Sequence, residues 1–395
     1  MKTDSSRNAR VDFLRGIAIA GVLLLHFTLA YGMKNSPLGD LLPPWLLRGL
    51  VLNGNYGVTI FFAISGFLIT SNALRRWGEL RHIDPRSFYV LRLARIMPPL
   101  LLALAIIGAL GCMDIPFFNN GDNKQHLPAT FFVIAIGSVL TFWHNVLMQS
   151  TGYFNYCLNI YWSLSVEEVF YLAMPILCLC VRRTWLLACV CAAAVVIGPI
   201  YRYVHQDNEL FFMYGYAACF DAIAIGCLTA LLARRFRADG MAARAWRIAG
   251  ALTIMIVYVR GIGGHEVFGF TLIALGSAAF LFGAAHEARP GLTGGRGFGA
   301  LRWAGRHSYE IYLFHIIVLG LMRNVIDKAH LSYAARLPWF VLFIGLTAAL
   351  AALVARFVAQ PSNAALRRRF LRRSAPELPA SPGRLQTPAS VVPNE

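Results

Sequence analysis

A chain of 395 residues is long enough for two or three soluble domains, but its composition excludes them: 57% of residues are hydrophobic, only 14% are charged, and the mean hydropathy is +0.57. A water-soluble surface needs roughly a quarter of its residues charged, so much of the exterior must face lipid. The net charge of +17 would suit nucleic acid or anionic lipid, yet its distribution along the chain assigns it to membrane topology, and no nucleic-acid partner is expected.

Residues 1–10 form a short, polar, basic segment, followed by an apolar run from Val11 to Tyr31. No convincing cleavage site follows, which predicts an uncleaved first span. Further apolar segments of bilayer length occur near 54–73, 94–112, 129–148, 161–181, 185–204, 211–233, 248–264, 266–285, 308–323 and 337–359. Basic residues cluster at alternate ends: Lys2 to Arg15, Arg75 to Arg95, Arg182 and Arg183, Arg234 to Arg247, Arg289 to Arg306, and Arg356 onward. Placing these clusters in the cytoplasm puts 28 of the 36 Lys and Arg residues inside and eight outside, as the positive-inside rule requires.

Both termini are then cytoplasmic, and the number of crossings is even. The weakest of the eleven segments is 129–148, interrupted by Trp143, His144 and Asn145, and it is expected to be re-entrant or to lie along the outer surface. The expectation is an all-α polytopic membrane protein of about ten transmembrane helices. Its membrane domain runs over residues 11–360. The region 361–395 is read as a basic cytoplasmic tail without a core of its own, suited to an anionic inner leaflet. This threading places Trp162 to Glu168 at the outer end of its helix.

Ionisable residues inside spans are costly and point to function. Arg15 and His26 are eleven residues apart, close to three helical turns, so they share one face about 16 Å apart along the axis. Arg15 falls at the cytoplasmic entrance and His26 beyond mid-membrane, while Asp12, three residues before Arg15, can pair with it. A neutral imidazole accepts a proton, although a packing histidine is an equally ordinary reading of His26. Arg92 and Arg95 lie on one helix face at the cytoplasmic boundary, and guanidinium groups grip phosphate with paired hydrogen bonds. Glu167 and Glu168 open an otherwise apolar helix, where a carboxylate can orient an imidazole, bind sugar hydroxyls or cap the helix.

Ser65 and Gly66 permit close helix approach. His315 reads as a structural polar contact nearer the cytoplasm than His26. Six of the eight cysteines sit in apolar runs and read as small packing residues, with no metal-ligand spacing. A disulfide between Cys112 and Cys157 is sterically conceivable on this topology and supported by no pattern.

Five segments taken in order resemble the acyltransferase 3 family of bacterial membrane acyltransferases. They are Arg15-x10-His26, Phe61-Phe62-x-Ile64-Ser65-Gly66-Phe67, Arg92-x-x-Arg95-Ile96-x-Pro98, Trp162-Ser163-Leu164-x-x-Glu167, and Ser308-Tyr309-x-x-Tyr312-Leu313-x-His315. The resemblance covers residues 10 to 360. It implies transfer of an acyl group, most often acetyl, from cytoplasmic acyl-CoA to a hydroxyl of an envelope glycan, lipopolysaccharide or lipid-linked saccharide at the bacterial inner membrane.

On that reading His26 and Glu167 are catalytic, and Arg15, Arg92 and Arg95 hold the donor. Asp12, Ser65, Trp162, Ser163, Glu168, Tyr309 and His315 bind substrate or support the site. No permanently bound cofactor or metal is implied. Two departures from the family pattern bear on this reading. The Arg that usually precedes the position of Asp221 is absent, as is the final Glu-x-Pro, here Gln360-Pro361, so no essential charge is expected at either site. No fused hydrolase-like domain is apparent, so the acyl group is expected to reach its acceptor directly or through a separate periplasmic partner. The competing class is a secondary transporter or flippase, for which ten spans with midplane charges would also serve; no internal repeat supports it. A non-catalytic membrane scaffold or glycan-binding partner is a third reading, in which His26 has no necessary role.

Overall fold

The computed structural model describes residues 8–121, 127–286 and 296–371, which are helical with no strand among them. The predicted N-terminal segment before Asn8 and the predicted tail beyond Leu371 lie outside the described residues. Ten long helices build the molecule: α1 (Ala9–Tyr31), α2 (Tyr56–Trp77), α3 (Pro85–Cys112), α4 (Trp162–Val181), α5 (Thr184–Val204), α6 (Tyr216–Arg235), α7 (Gly240–Arg260), α8 (Glu266–Ala284), α9 (Ser308–Val325) and α10 (Arg336–Val354). All but α9 are long and apolar enough to cross a membrane. Helix α9 has 18 residues, twelve of them buried; of its polar groups His315 is enclosed by protein, while Glu310, Arg323 and Asn324 lie toward the two ends. The protein is a multi-pass membrane protein.

The helix ends carry local signals. Asn8 caps α1 by accepting hydrogen bonds from the backbone N–H of Arg10 and Val11, and Gly32, at φ 74°, ends it. Asp84 caps α3 in the same way, with Pro85 in the first turn. Large apolar side chains such as Leu101, Ile176, Val196, Ile200 and Met255 are exposed along the helices, the pattern of surfaces that meet hydrocarbon rather than water.

Hydrogen bonds between helix ends show that the helices alternate in direction. At one end of the bundle, Asn8 Nδ2 donates to Ala284 O at 2.7 Å, Arg234 Nη1 to Gly78 O at 2.6 Å and Arg247 Nη1 to Gly283 O at 2.9 Å. At the other, Tyr31 Oη donates to Ile326 O at 3.2 Å, Arg336 Nη1 to Gly32 O at 3.1 Å and Asn53 Nδ2 to Tyr258 O at 2.7 Å. The segment 129–148 breaks, as expected, at its polar triplet: helices Phe131–Leu140 and His144–Thr151 are each too short to span a bilayer.

The presumed start of the tail is instead helix. Helix α10 passes through a π-helical stretch, Ala355–Ala359, into the helix Gln360–Leu371. The wider turn sits where Pro361 removes a backbone donor, so the chain passes the proline without ending. All eight cysteines are free, and Cys157 is buried with its thiol 3.8 Å from Ile316 O, so Cys112 and Cys157 are not bridged.

A close helix contact frames the interior. A Cβ on Gly66 of α2 would lie 1.9 Å from Ile223 O of α6, and one on Gly226 of α6 would lie 2.0 Å from Ala63 O of α2. Glycine therefore lets the two backbones touch. Gly66→Ala is expected to lower stability by about 1–3 kcal/mol, the usual range for overpacking, seen as a lower melting temperature in detergent. Gly137→Ala, whose Cβ would meet nothing within 4 Å, is expected to leave it nearly unchanged.

Candidate active site

Two interior cavities lie one above the other along α1 and α2. Helix α1 gives Arg15 to one and His26 to the other, and α2 gives Ser65 and Asn72 to the first and Thr59 and Phe62 to the second. Helices α4 and α9 divide in the same order, with Glu167, Glu168 and Tyr309 lining the first and Trp162 and Tyr312 the second. The shared face predicted for Arg15 and His26 is the one that carries both cavities.

The first cavity, of about 90 Å³, is charged: Arg15, Arg92, Arg95, Glu167 and Glu168 all line it. Arg15 is fixed by donating from Nη2 and Nε to Ser308 Oγ, at 2.8 and 3.2 Å. This contact ties the start of α1 to the start of α9. Asp12 is buried one turn earlier, where its carbonyl packs against Gly305. The Arg92 guanidinium lies 3.3 Å from the centre of the Tyr171 ring, and its Nε stands 4.0 Å from Glu168 Oε1. Arg92 Nε and Glu168 Oε1 are buried without a hydrogen-bond partner among the described residues, so both retain capacity for a ligand. Tyr171 Oη contacts Ser65 Oγ and donates to Glu167 Oε2 at 3.4 Å, while Tyr309 Oη donates to Ile96 O at 2.9 Å.

Trp162 to Glu168 form the first two turns of α4, the end of the helix expected for them, and their side chains divide between the two cavities. Trp162 belongs to the second cavity, but Glu167 and Glu168 reach the arginines. The reason is geometric. Helix α3 runs for two turns before Arg92, and α4 descends about 9 Å between Trp162 and Glu168, so antiparallel helices bring the two charges level.

The second cavity, of about 130 Å³, is mostly apolar and contains His26. His315 Nε2 lies 3.3 Å from His26 Nδ1, with ring centres 4.9 Å apart. The hydrogen bonds around the pair assign its protons. His315 Nδ1 lies 2.7 Å from Tyr312 O, and His26 Nδ1 lies 2.9 Å from Val22 O. A carbonyl only accepts, so each Nδ1 carries the proton and each Nε2 keeps its lone pair. The single proton on His26 Nδ1 is then shared between Val22 O and the more distant His315 Nε2, and His26 Nε2 keeps its lone pair. His315, expected to be a structural contact, thus stands where a catalytic triad places its orienting group. Glu167 does not share this cavity.

Above the histidines, Trp162 packs edge-on to Phe62, with ring centres 6.0 Å apart, and against Tyr214 at 4.5 Å. Ser163 Oγ is 2.8 Å from Tyr312 Oη, which donates to Ile160 O at 2.8 Å. Tyr214 comes from the short helix Glu209–Tyr214, a segment with no sequence signal for this position.

Two further groups were missed. Tyr171 lies one turn beyond the Glu167 motif and reads in sequence as one more aromatic. Asp221, expected to carry no essential charge, is fully buried and paired with Arg202 at 2.6 Å. Arg202 lies inside an apolar segment, the signal that could have marked it.

The acyltransferase domain family model matches residues 8–356. The peptidoglycan O-acetyltransferase OatA of Listeria monocytogenes is 24% identical over 336 residues, which are 80% of this chain and 50% of that protein. The O-acetyltransferase OatA of Staphylococcus aureus is 23% identical over 374 residues, 89% of this chain and 56% of that protein. The chain therefore spans about half the length of the relatives it matches. No solved structure matches it significantly.

The proton assignment has a direct check. In selectively labelled protein, ¹⁵N shifts of the neutral histidines are expected to place the unprotonated nitrogen of His26 at Nε2. An unprotonated Nδ1 would reverse the roles drawn for the pair.

Proposed function

Because the chain belongs to the acyltransferase 3 family, we propose that it transfers an acyl group, acetyl above all, from cytoplasmic acyl-CoA to a hydroxyl of an envelope glycan. The observation that carries this reading is the pair of stacked cavities, one lined by three arginines and the other holding a histidine with a bare Nε2. The end rich in Lys and Arg faces the cytoplasm, which makes the charged cavity the donor side in a bacterial inner membrane. Names of the relatives support acetyl as the group and peptidoglycan as one acceptor of this class.

Coenzyme A is a polyanion, and Arg15, Arg92 and Arg95 supply planar donors matched to its phosphates. Glu167 and Glu168 keep those side chains apart and oriented. The pantetheine arm then carries the thioester toward His26. The acceptor enters the second cavity and places its hydroxyl at His26 Nε2.

As the hydroxyl oxygen bonds to the thioester carbonyl carbon, its proton passes to Nε2. The resulting imidazolium donates more strongly from Nδ1 to His315 Nε2, which stabilises the charge. The C–S bond breaks, and the departing thiolate takes the proton, leaving an ester and free coenzyme A. The same nitrogen serves a route through a transient acyl-imidazole. Low polarity around the histidines strengthens each of these interactions.

Membranes containing the protein, supplied with labelled acetyl-CoA, are expected to label envelope glycan. His26→Ala is expected to lower that rate by about 10²-fold or more, the usual contribution of a positioned base. Full activity in this variant would remove the assignment. Arg92→Lys is expected to raise the acetyl-CoA concentration for half-saturation, because lysine keeps the charge and loses the paired hydrogen bonds.

A further inference from the structure

Arg202 is the largest fully buried side chain described, and each of its bonds is made inside the bundle. It donates from Nε to Val267 O at 2.9 Å, from Nη1 to Ala218 O, and from Nη2 to Asp221 Oδ2 and Thr271 Oγ1, both at 2.6 Å. Thr271 Oγ1 in turn donates to Asp221 Oδ2 at 2.6 Å. Asp221 Oδ1 accepts from the backbone N–H of Ala222 at 2.8 Å. An ionised carboxylate offers about four acceptor positions, and these bonds occupy three.

Asp221 also lines the cavity that holds His26, where it is the only carboxylate among the lining residues. The surroundings reserve its place. A Cβ on Gly198 of α5 would come within 2.7 Å of Asp221 Cβ and 2.8 Å of its Cγ. Three helices, α5, α6 and α8, thus hold one carboxylate at one point on the wall of an otherwise apolar cavity.

A structural lock is the ordinary reading of such a network, but it explains the location poorly. A buried ion pair is a weak source of stability compared with apolar packing of the same volume. A charge held rigidly in a low-polarity cavity, by contrast, is a preorganised partner for a polar ligand. We propose that Asp221, clamped by Arg202 and Thr271, is the acceptor-binding carboxylate. Its Oδ1 accepts a hydrogen bond from one hydroxyl of the incoming glycan, and this contact sets which neighbouring hydroxyl stands at His26 Nε2. The inference rests on the acyltransfer reading and assigns Asp221 to recognition, not to the covalent step.

The test uses the full chain in proteoliposomes, labelled acetyl-CoA, and glycan extracted from the envelope of the producing cells as the titrated acceptor. Asp221→Asn is nearly isosteric. It turns its oxygen to Arg202 and Thr271 and presents an amide donor where an acceptor is needed. The expected result is a tenfold or larger rise in the glycan concentration for half-saturation, with that for acetyl-CoA changed less than twofold.

Gly198→Ala displaces the carboxylate without changing charge and is expected to shift the same quantity. An unchanged glycan requirement in both variants, with transfer intact, overturns the inference and leaves the acyltransfer reading standing. Parallel loss on donor and acceptor sides with a lowered melting temperature in both returns Asp221 to the role of a lock. Absence of transfer by the wild-type protein overturns the acyltransfer reading and the inference with it.

Discussion

In hydrocarbon, a polar side chain has no water to fall back on, so its partners must come from the protein. That constraint organises the whole molecule. Backbone groups are satisfied within helices, and charged side chains turn inward to other helices. Arg15 closes on Ser308, tying α1 to α9, and Arg202 closes on Asp221 and Thr271, tying α5 to α6 and α8. The bonds that satisfy these buried groups are therefore the ones that fix where charge sits in the interior.

The interior is divided by chemistry. Three guanidinium groups and two carboxylates gather in one cavity, while one histidine backed by a second, one carboxylate and an aromatic wall mark the other. In the proposed reaction, phosphate recognition needs several fixed donors, which are costly to desolvate and suit the basic end of the bundle. Transfer to a hydroxyl needs a base with a free lone pair in a place that excludes water. Glycine contacts hold α6, which lines the second cavity, against α2, which lines both.

Much of this was legible before the structure. Apolar segment lengths and charge alternation anticipated the helices, and 3.6-residue periodicity put Arg15 and His26 on one face. The polar triplet Trp143, His144 and Asn145 marked where segment 129–148 breaks. Other readings failed for identifiable reasons. The meeting of Glu168 with Arg92 was not anticipated, because α3 extends two turns before Arg92, a length that hydropathy does not register. Pro361 looked like the end of order, but a π-helical stretch absorbs it.

Composition and local pattern are properties of consecutive residues, and they determined the class and the helices, and singled out the arginines that line the charged cavity. Side-chain pairing is a property of helix rotation and register, and only the tertiary structure decided it. His26 and His315 are 289 residues apart in sequence, and nothing near either one states that they meet. Asp221 lacked the adjacent arginine that sequence reasoning looked for, and it found one on the preceding helix, 19 residues away. A buried carboxylate requires a partner in space, not a neighbour in the chain, and it takes whichever cation the packing brings within reach.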